Sequence, residues 1–226
     1  MGKLCHMTAK AMMNVCNKPF LQWLVENLIK LNIPVYLSSG KHTTDIHEYF
    51  DNPYWKSLEV QTVIENSPLG TGGAIRFCVN FIQTKYLIVL NADTVLSGLR
   101  LKDALVYHDS SQSAITQVLS VISNQNPGRI LVDDGVVVET FENKSFAQTM
   151  YTDQYSSTGV YIMEREFVIA NFPEAKTSFE LNLLPKFIKE RNVGAWIDSI
   201  TVTDFGTPER YRGLNFTKSQ LRNLFQ

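Results

Sequence analysis

The chain has few cysteines: Cys5, Cys16 and Cys78 are an odd set of three in 226 residues and share no CxxC spacing. This excludes a disulfide-stapled framework, leaves a structural zinc without a ligand set, and points to reduced thiols in a cytoplasmic setting. The four histidines, His6, His42, His47 and His108, do not pair at metal-ligand spacing, and the sequence contains no GxSxG or HExxH. Zinc chemistry and nucleophilic hydrolysis therefore have no foothold. Charge of one sign is also lacking: the formal net charge of −1 offers no overall attraction for nucleic acid or an anionic membrane. The longest apolar runs are too short to cross a bilayer, and no basic start followed by a long apolar core marks a signal peptide. There is no internal repeat, low-complexity tract or dividing linker.

What is present is ordinary for a globular chain, with 44% hydrophobic and 19% charged residues in a length that suits one α/β unit. Leu21, Leu24, Val25, Leu28 and Leu31 recur at helical spacing, and Asn32 and Pro34 stop that helix. Strands are expected at 35–37, 58–64 and 86–90, with helical turns at 45–50 and a helix from about Ala74 to Ile82. Tyr86 to Leu90 is a continuous apolar run, the signature of a strand covered on both faces. The second half reads as strands at 114–121, 129–132, 136–141 and 159–163, with Asp133-Asp134-Gly135 as a hairpin turn. A helix at 179–188, a strand at 200–205 and one helix over 208–224 close the chain. The expectation is one mixed-sheet α/β domain over 1–226, with halves at about 1–110 and 111–226.

Three features invite chemistry, and each has a plain alternative. The run Pro68-Leu69-Gly70-Thr71-Gly72-Gly73-Ala74 lies between a strand and a helix. Glycines there admit close approach of a flat or anionic ligand, or simply make a tight turn. Asp93 and Asp204 each end a strand, where open α/β sheets place their ligands, and a hard cation needs only one or two carboxylates. An isolated strand-end Asp is more often a cap. Lys10 and Lys18 flank Ala11-Met12-Met13-Asn14-Val15 and suit phosphate neutralisation, although a single lysine is usually just solvated.

Taken in order, these pieces resemble the sugar-phosphate nucleotidylyltransferases. Residues 10–21, KAMMNVCNKPFL, are similar to that family's "PKxMxPVxxKPxL" signature, and Glu65 to Ile75 matches its second. Leu90-Asn91-Ala92-Asp93 resembles the "xNGD" metal motif. Asp204-Phe205-Gly206-Thr207-Pro208, with Tyr211, resembles the closing "DxGTPxxY". The compact length and the Pro68–Ile75 run look closest to heptose and mannose 1-phosphate guanylyltransferases. The resemblance implies a Rossmann-like mixed-sheet fold and a reaction in which a sugar 1-phosphate attacks the α-phosphorus of an NTP and expels pyrophosphate, in service of surface glycan synthesis. It implies that Asp93 and Asp204 hold Mg²⁺, that Lys18 faces the sugar phosphate, and that Lys10 and Lys3 face the nucleotide phosphates. By the same comparison Leu69, Gly70 and Gly73 lie against the base with Glu65 nearby, while Lys144, Gly159 and Glu180 serve the sugar.

The sequence also departs from the family. The usual first strand and its glycine-rich "GGxGTRL" loop are not present in this sequence, and Lys3 stands where the loop's arginine belongs. A lysine cannot reproduce a bidentate guanidinium fork. Asn143 replaces the glutamate of "FxEK", and Ser157 replaces the asparagine before Gly159. The same departures fit a second reading, a non-catalytic nucleotide- or sugar-binding relative. Edge strands in the second half offer a surface for a homo-oligomer.

Overall fold

The computed structural model describes residues 9–40, 43–121, 129–141, 155–205 and 207–225, so Lys3 and Lys144 lie outside it, as does the side chain of Asp204. The described chain opens with a single 3₁₀ turn, Lys10–Met12, and a small hairpin of β1 (Asn14–Val15) and β2 (Lys18–Pro19). Its turn residues, Cys16 and Asn17, both have positive φ. Helix α1 (Phe20–Lys30) follows and buries the apolar stripe read from the sequence, including Leu21, Leu24, Val25 and Leu28. Asn32, in the left-handed region, and Pro34 end it as expected.

Strand β3 (Val35–Gly40) then leads through α2 (Thr44–Phe50) and α3 (Pro53–Ser57) to β4 (Val60–Glu65). The α3 turn starts on a capping signal: the Asn52 side chain accepts from the Tyr54 and Trp55 amides, and proline takes the first position. Helix α4 (Gly70–Cys78) starts inside the glycine run, four residues before the expected Ala74. Next come β5 (Tyr86–Leu90), β6 (Thr94–Ser97), α5 (Leu101–Ser110) and β7 (Ile115–Ser120). The second half adds the hairpin β8 (Arg129–Asp133) and β9 (Val136–Phe141), the long β10 (Tyr155–Glu164) and α6 (Arg165–Asn171). Asp134 and Gly135 both have positive φ, as the hairpin reading requires. A π-helical turn, Phe179–Leu183, runs into α7 (Leu184–Lys189), and β11 (Val193–Asp198) and β12 (Thr201–Asp204) follow.

The single closing helix expected over 208–224 is corrected. The chain forms two short helices, α8 (Pro208–Arg212) and α9 (Lys218–Arg222), each begun by a threonine cap at Thr207 or Thr217. Thr217 and Gln220 form a reciprocal capping box, so local side-chain bonds restart the helix after the break at Gly213.

The main sheet has the order β5-β10-β7-β11-β9-β8, with β11 parallel to β7 and β10 antiparallel to both β5 and β7. It is buried on both faces. Along β10, Val160 and Ile162 enter one core cluster while Tyr161 and Met163 enter the other, the period-two sorting of a central strand. β3 pairs in parallel with β4 as a separate two-stranded sheet. Among the described residues β3 has no other partner than β4, and β5 none besides β10. Among the described residues each therefore keeps one open edge. No described helix is long and apolar enough to cross a membrane.

Candidate active site

Beyond the end of β5, Asn91 folds against a break in β10. The register of β10 on β7 shifts between Ser157 and Val160, leaving Thr158 and Gly159 as an inserted bulge. Gly159 has φ +72°, and a β-carbon there would meet Asn91 Nδ2 at 2.5 Å, so only glycine allows this approach. The Asn91 amide donates to the Gly159 carbonyl at 3.3 Å. The bulge thereby turns the Ser157–Gly159 segment toward the loop that carries Asp93.

The C-terminal motif arrives at the same place. β12 pairs antiparallel with β6, so the Asp204 backbone lies opposite Thr94, the neighbour of Asp93. The Phe205 amide donates to the Asp93 carbonyl at 3.4 Å, and the Phe205 ring packs edge-on against Phe20 at 4.9 Å. Tyr211 donates to the Asn14 carbonyl at 2.7 Å and ties this end to the segment bearing Lys10. The result is a cleft of about 450 Å³ whose walls include Lys10, Asp93, Ser157, Gly159, Tyr161 and Glu180.

Four residues singled out from the sequence thus share one cleft: Lys10, Asp93, Gly159 and Glu180. Lys10 is exposed and Asp93 half-buried, and neither has an ion-pair partner among the described residues. An unpaired ammonium and an unpaired carboxylate in one cleft suit a phosphate ligand with a hard cation. Oxygen donors of this kind fit Mg²⁺, which takes one or two carboxylates with phosphate and water oxygens.

The other candidates sit elsewhere. Lys18 is not part of the cleft lining: its ammonium lies 2.5 Å from Glu26 Oε2 and 3.4 Å from the Trp23 ring centroid. Glu65 is buried and organises the glycine run, one oxygen accepting from the Leu69 amide and the other from the Ser38 hydroxyl, each at 3.0 Å. The glycines face protein. A β-carbon at Gly70 would strike the Thr177 carbonyl at 2.5 Å, and one at Gly73 the Ala175 carbonyl at 2.7 Å. Amides of Gly72 and Gly73 donate to Thr177, and the Thr177 amide donates to the Leu69 carbonyl. The run is therefore built to seat residues 175–179.

That seating orients Glu180. Thr71 accepts from the Phe179 amide and donates to Glu180 Oε2 at 2.7 Å, linking the first half of the chain to the carboxylate of the second. The π-helical turn that carries Glu180 is a backbone form often found at functional sites. Sequence reasoning did not single out Thr71, Asn91 or Tyr161, and it named Ser157 only as the replacement for the asparagine before Gly159. Thr71 and Asn91 stand inside recognised motifs and were open to inspection, whereas Ser157 reaches the cleft only through the bulge.

Comparisons with known proteins bear on the family and the fold. The family described as nucleotidyl transferase matches residues 3–217. The D-glycero-alpha-D-manno-heptose 1-phosphate guanylyltransferase of Campylobacter jejuni is 30% identical, with 89% of this chain and 87% of that protein covered. The enzyme of the same name from Aneurinibacillus thermoaerophilus is 28% identical, covering 90% and 86%. Crystallised HddC from Yersinia pseudotuberculosis, complexed with GMP-PN, superposes with a TM-score of 0.73 at 28% identity, covering 90% and 87%. The match over nearly the whole chain and the shared fold lead to one conclusion: this chain belongs to the nucleotidyl transferase family of enzymes.

Proposed function

We propose that this chain joins a sugar 1-phosphate to a nucleotide, giving an NDP-sugar and pyrophosphate for surface glycan synthesis. The observation that carries the reading is the convergence of Lys10, Asp93, Gly159 and Glu180 on one cleft. An oxygen of the sugar phosphate forms a bond to the α-phosphorus of the NTP. The bond from that phosphorus to the bridging β-phosphate oxygen breaks, and pyrophosphate departs with the electron pair. Such transfers rest on positioning and charge neutralisation, which a preformed cleft supplies.

In this reading Lys10 neutralises nucleotide phosphates, and Lys3 serves with it. Asp93 and Asp204 would hold Mg²⁺, which when bound offsets charge on the reacting phosphates. Leu69, Gly70 and Gly73 serve the base side through their backbone, while the α-carbons of the two glycines pack on Thr177 and Ala175. Glu180, steadied by Thr71, accepts hydrogen bonds from sugar hydroxyls, and Gly159 and Lys144 complete the sugar side. Lys18 reaches the sugar phosphate by leaving Glu26. The guanylyltransferases among the relatives favour GTP with a heptose or mannose 1-phosphate, so the product is a GDP-sugar. Cys16 and Cys78 are unbridged, which supports a reducing cytoplasmic setting.

The test is pyrophosphate release by the purified chain with Mg²⁺, over the common NTPs and sugar 1-phosphates. Release that requires one nucleotide–sugar pair establishes the activity and names both substrates. Silence across the matrix from a folded chain overturns it in favour of a non-catalytic binding relative.

A further inference from the structure

Gln117 is a polar residue in an apolar place. It lies on β7 opposite Tyr161 of β10, on the face whose neighbours include Ile115 and Leu119, and it is only 1% exposed. Its side-chain oxygen has no hydrogen-bond partner among the described residues. A buried amide oxygen left unmatched is destabilising, so the side chain needs a reason to be there. Its amide nitrogen supplies one. It donates at 3.3 Å to Oγ of Ser157, the residue that the bulge turns into the cleft wall.

The Gly159 amide also donates to Ser157 Oγ at 3.3 Å. A hydroxyl has two acceptor lone pairs and one hydrogen. Both lone pairs of Ser157 are therefore engaged from within the protein. Its hydrogen has no acceptor among the described residues and is left for whatever occupies the cleft. On another wall Glu180, one oxygen bonded to Thr71, presents an acceptor.

We infer that Gln117 is a positioning residue that fixes the hydrogen-bond polarity of the cleft, holding Ser157 as a donor toward an oxygen of the bound sugar 1-phosphate. The inference rests on the proposed reading of the cleft as a sugar 1-phosphate site. It adds that the ligand meets a donor at Ser157 and an acceptor at Glu180, a pairing that a polyhydroxylated ring satisfies and an apolar group does not. Gln117 touches no ligand itself and acts only through Ser157.

The experiment measures mannose 1-phosphate and heptose 1-phosphate binding by calorimetry, which needs no turnover, alongside the KM for MgGTP. The variants are Gln117→Met, Ser157→Ala and the double variant, each with its thermal melt. Loss of one hydrogen bond predicts about 10-fold weaker sugar phosphate binding for Ser157→Ala and about 3-fold for Gln117→Met. The double variant is expected to bind no more weakly than Ser157→Ala alone, because the amide acts through the hydroxyl. The KM for MgGTP stays within about 2-fold of the unchanged chain. Additive losses in the double variant, an equal rise in the KM for MgGTP, or wild-type binding in Gln117→Met would each overturn the inference. Failure of the unchanged chain to bind either sugar phosphate overturns it as well. Binding without turnover sinks only the proposed activity.

Discussion

At the scale of single residues, Asp93 and Gly159 act in different ways and predict different failures. Asp93 is a carboxylate of the cleft without an ion-pair partner among the described residues, so its removal leaves no buried charge stranded. Asp93→Asn is expected to lower kcat at least ~100-fold, about 2.7 kcal/mol of transition-state stabilisation, with a melt close to that of the unchanged chain. A variant that turns over normally removes Asp93 from the mechanism. Gly159 combines positive φ with the close approach of Asn91. Gly159→Ala should lose about 1–2 kcal/mol of stability from the left-handed backbone and a larger share of activity, since Asn91 leads directly to Asp93. Denaturation curves and kcat/KM measured on the same preparation separate the two effects. Asp93 and Glu180 were legible in the sequence because each ends or begins a recognisable motif. Gln117 was not, and Ser157 showed only as a motif departure, because their meeting depends on a two-residue bulge that no local pattern announces. The glycine run was legible as a special place, but its partner, residues 175–179, lies about a hundred positions away.

At the scale of elements, strong periodicity was readable and weak periodicity was not. Tyr86–Leu90 falls where the sequence put it because a short, continuous apolar run suits a strand covered on both faces, and Val136–Phe141 does so because the Asp134-Gly135 turn marks its start. Helix α5 escaped notice because its buried face includes a histidine: Leu101, Ala104 and His108 point inward. His108 is 2% exposed and bonds Thr116 through Nδ1 at 2.8 Å, joining α5 to β7. Burial, with some help from Lys85, holds its pKa down to about 4. A base whose folded pKa lies below its unfolded value of 6.5 binds protons more readily when unfolded. Its contribution is therefore complete above pH 6.5 and is lost as the pH falls toward 4, by at most on the order of 3 kcal/mol. Urea denaturation at pH 7.5 and pH 4.5 is expected to show this loss in the unchanged chain and a smaller one in His108→Gln. Equal losses in both proteins would assign the acid sensitivity to other groups. The closing segment was misread as one helix because Pro208 to Leu224 lacks a strong breaker apart from Gly213, while Thr207 and Thr217 cap two separate turns.

Over the whole molecule the cleft is made from both halves of the chain, and its two sides meet through β5 against β10 and β6 against β12. Lys10 and Asp93 come from the first half, Ser157, Glu180 and Thr207 from the second. The sequence suggested two halves in one sheet; the separate β3–β4 pair was beyond it, since strand partners are chosen by tertiary packing. A ligand that fills the cleft contacts both halves and favours the folded state by mass action. At about 100 times its Kd this is worth roughly 2.7 kcal/mol, or about 5–10 °C in Tm for a chain of this size. MgGTP and a sugar 1-phosphate together are expected to raise Tm more than either alone. EDTA should remove most of the nucleotide's share, because without the cation Asp93 and the triphosphate repel each other. A nucleotide shift that survives EDTA unchanged would remove Mg²⁺ from the binding step. A sugar phosphate shift that persists in Glu180→Ala and Ser157→Ala would place the sugar outside this cleft. If the shifts are present, depend on the cation and are larger for the pair, both substrates occupy the space that the β10 bulge opens between the two halves.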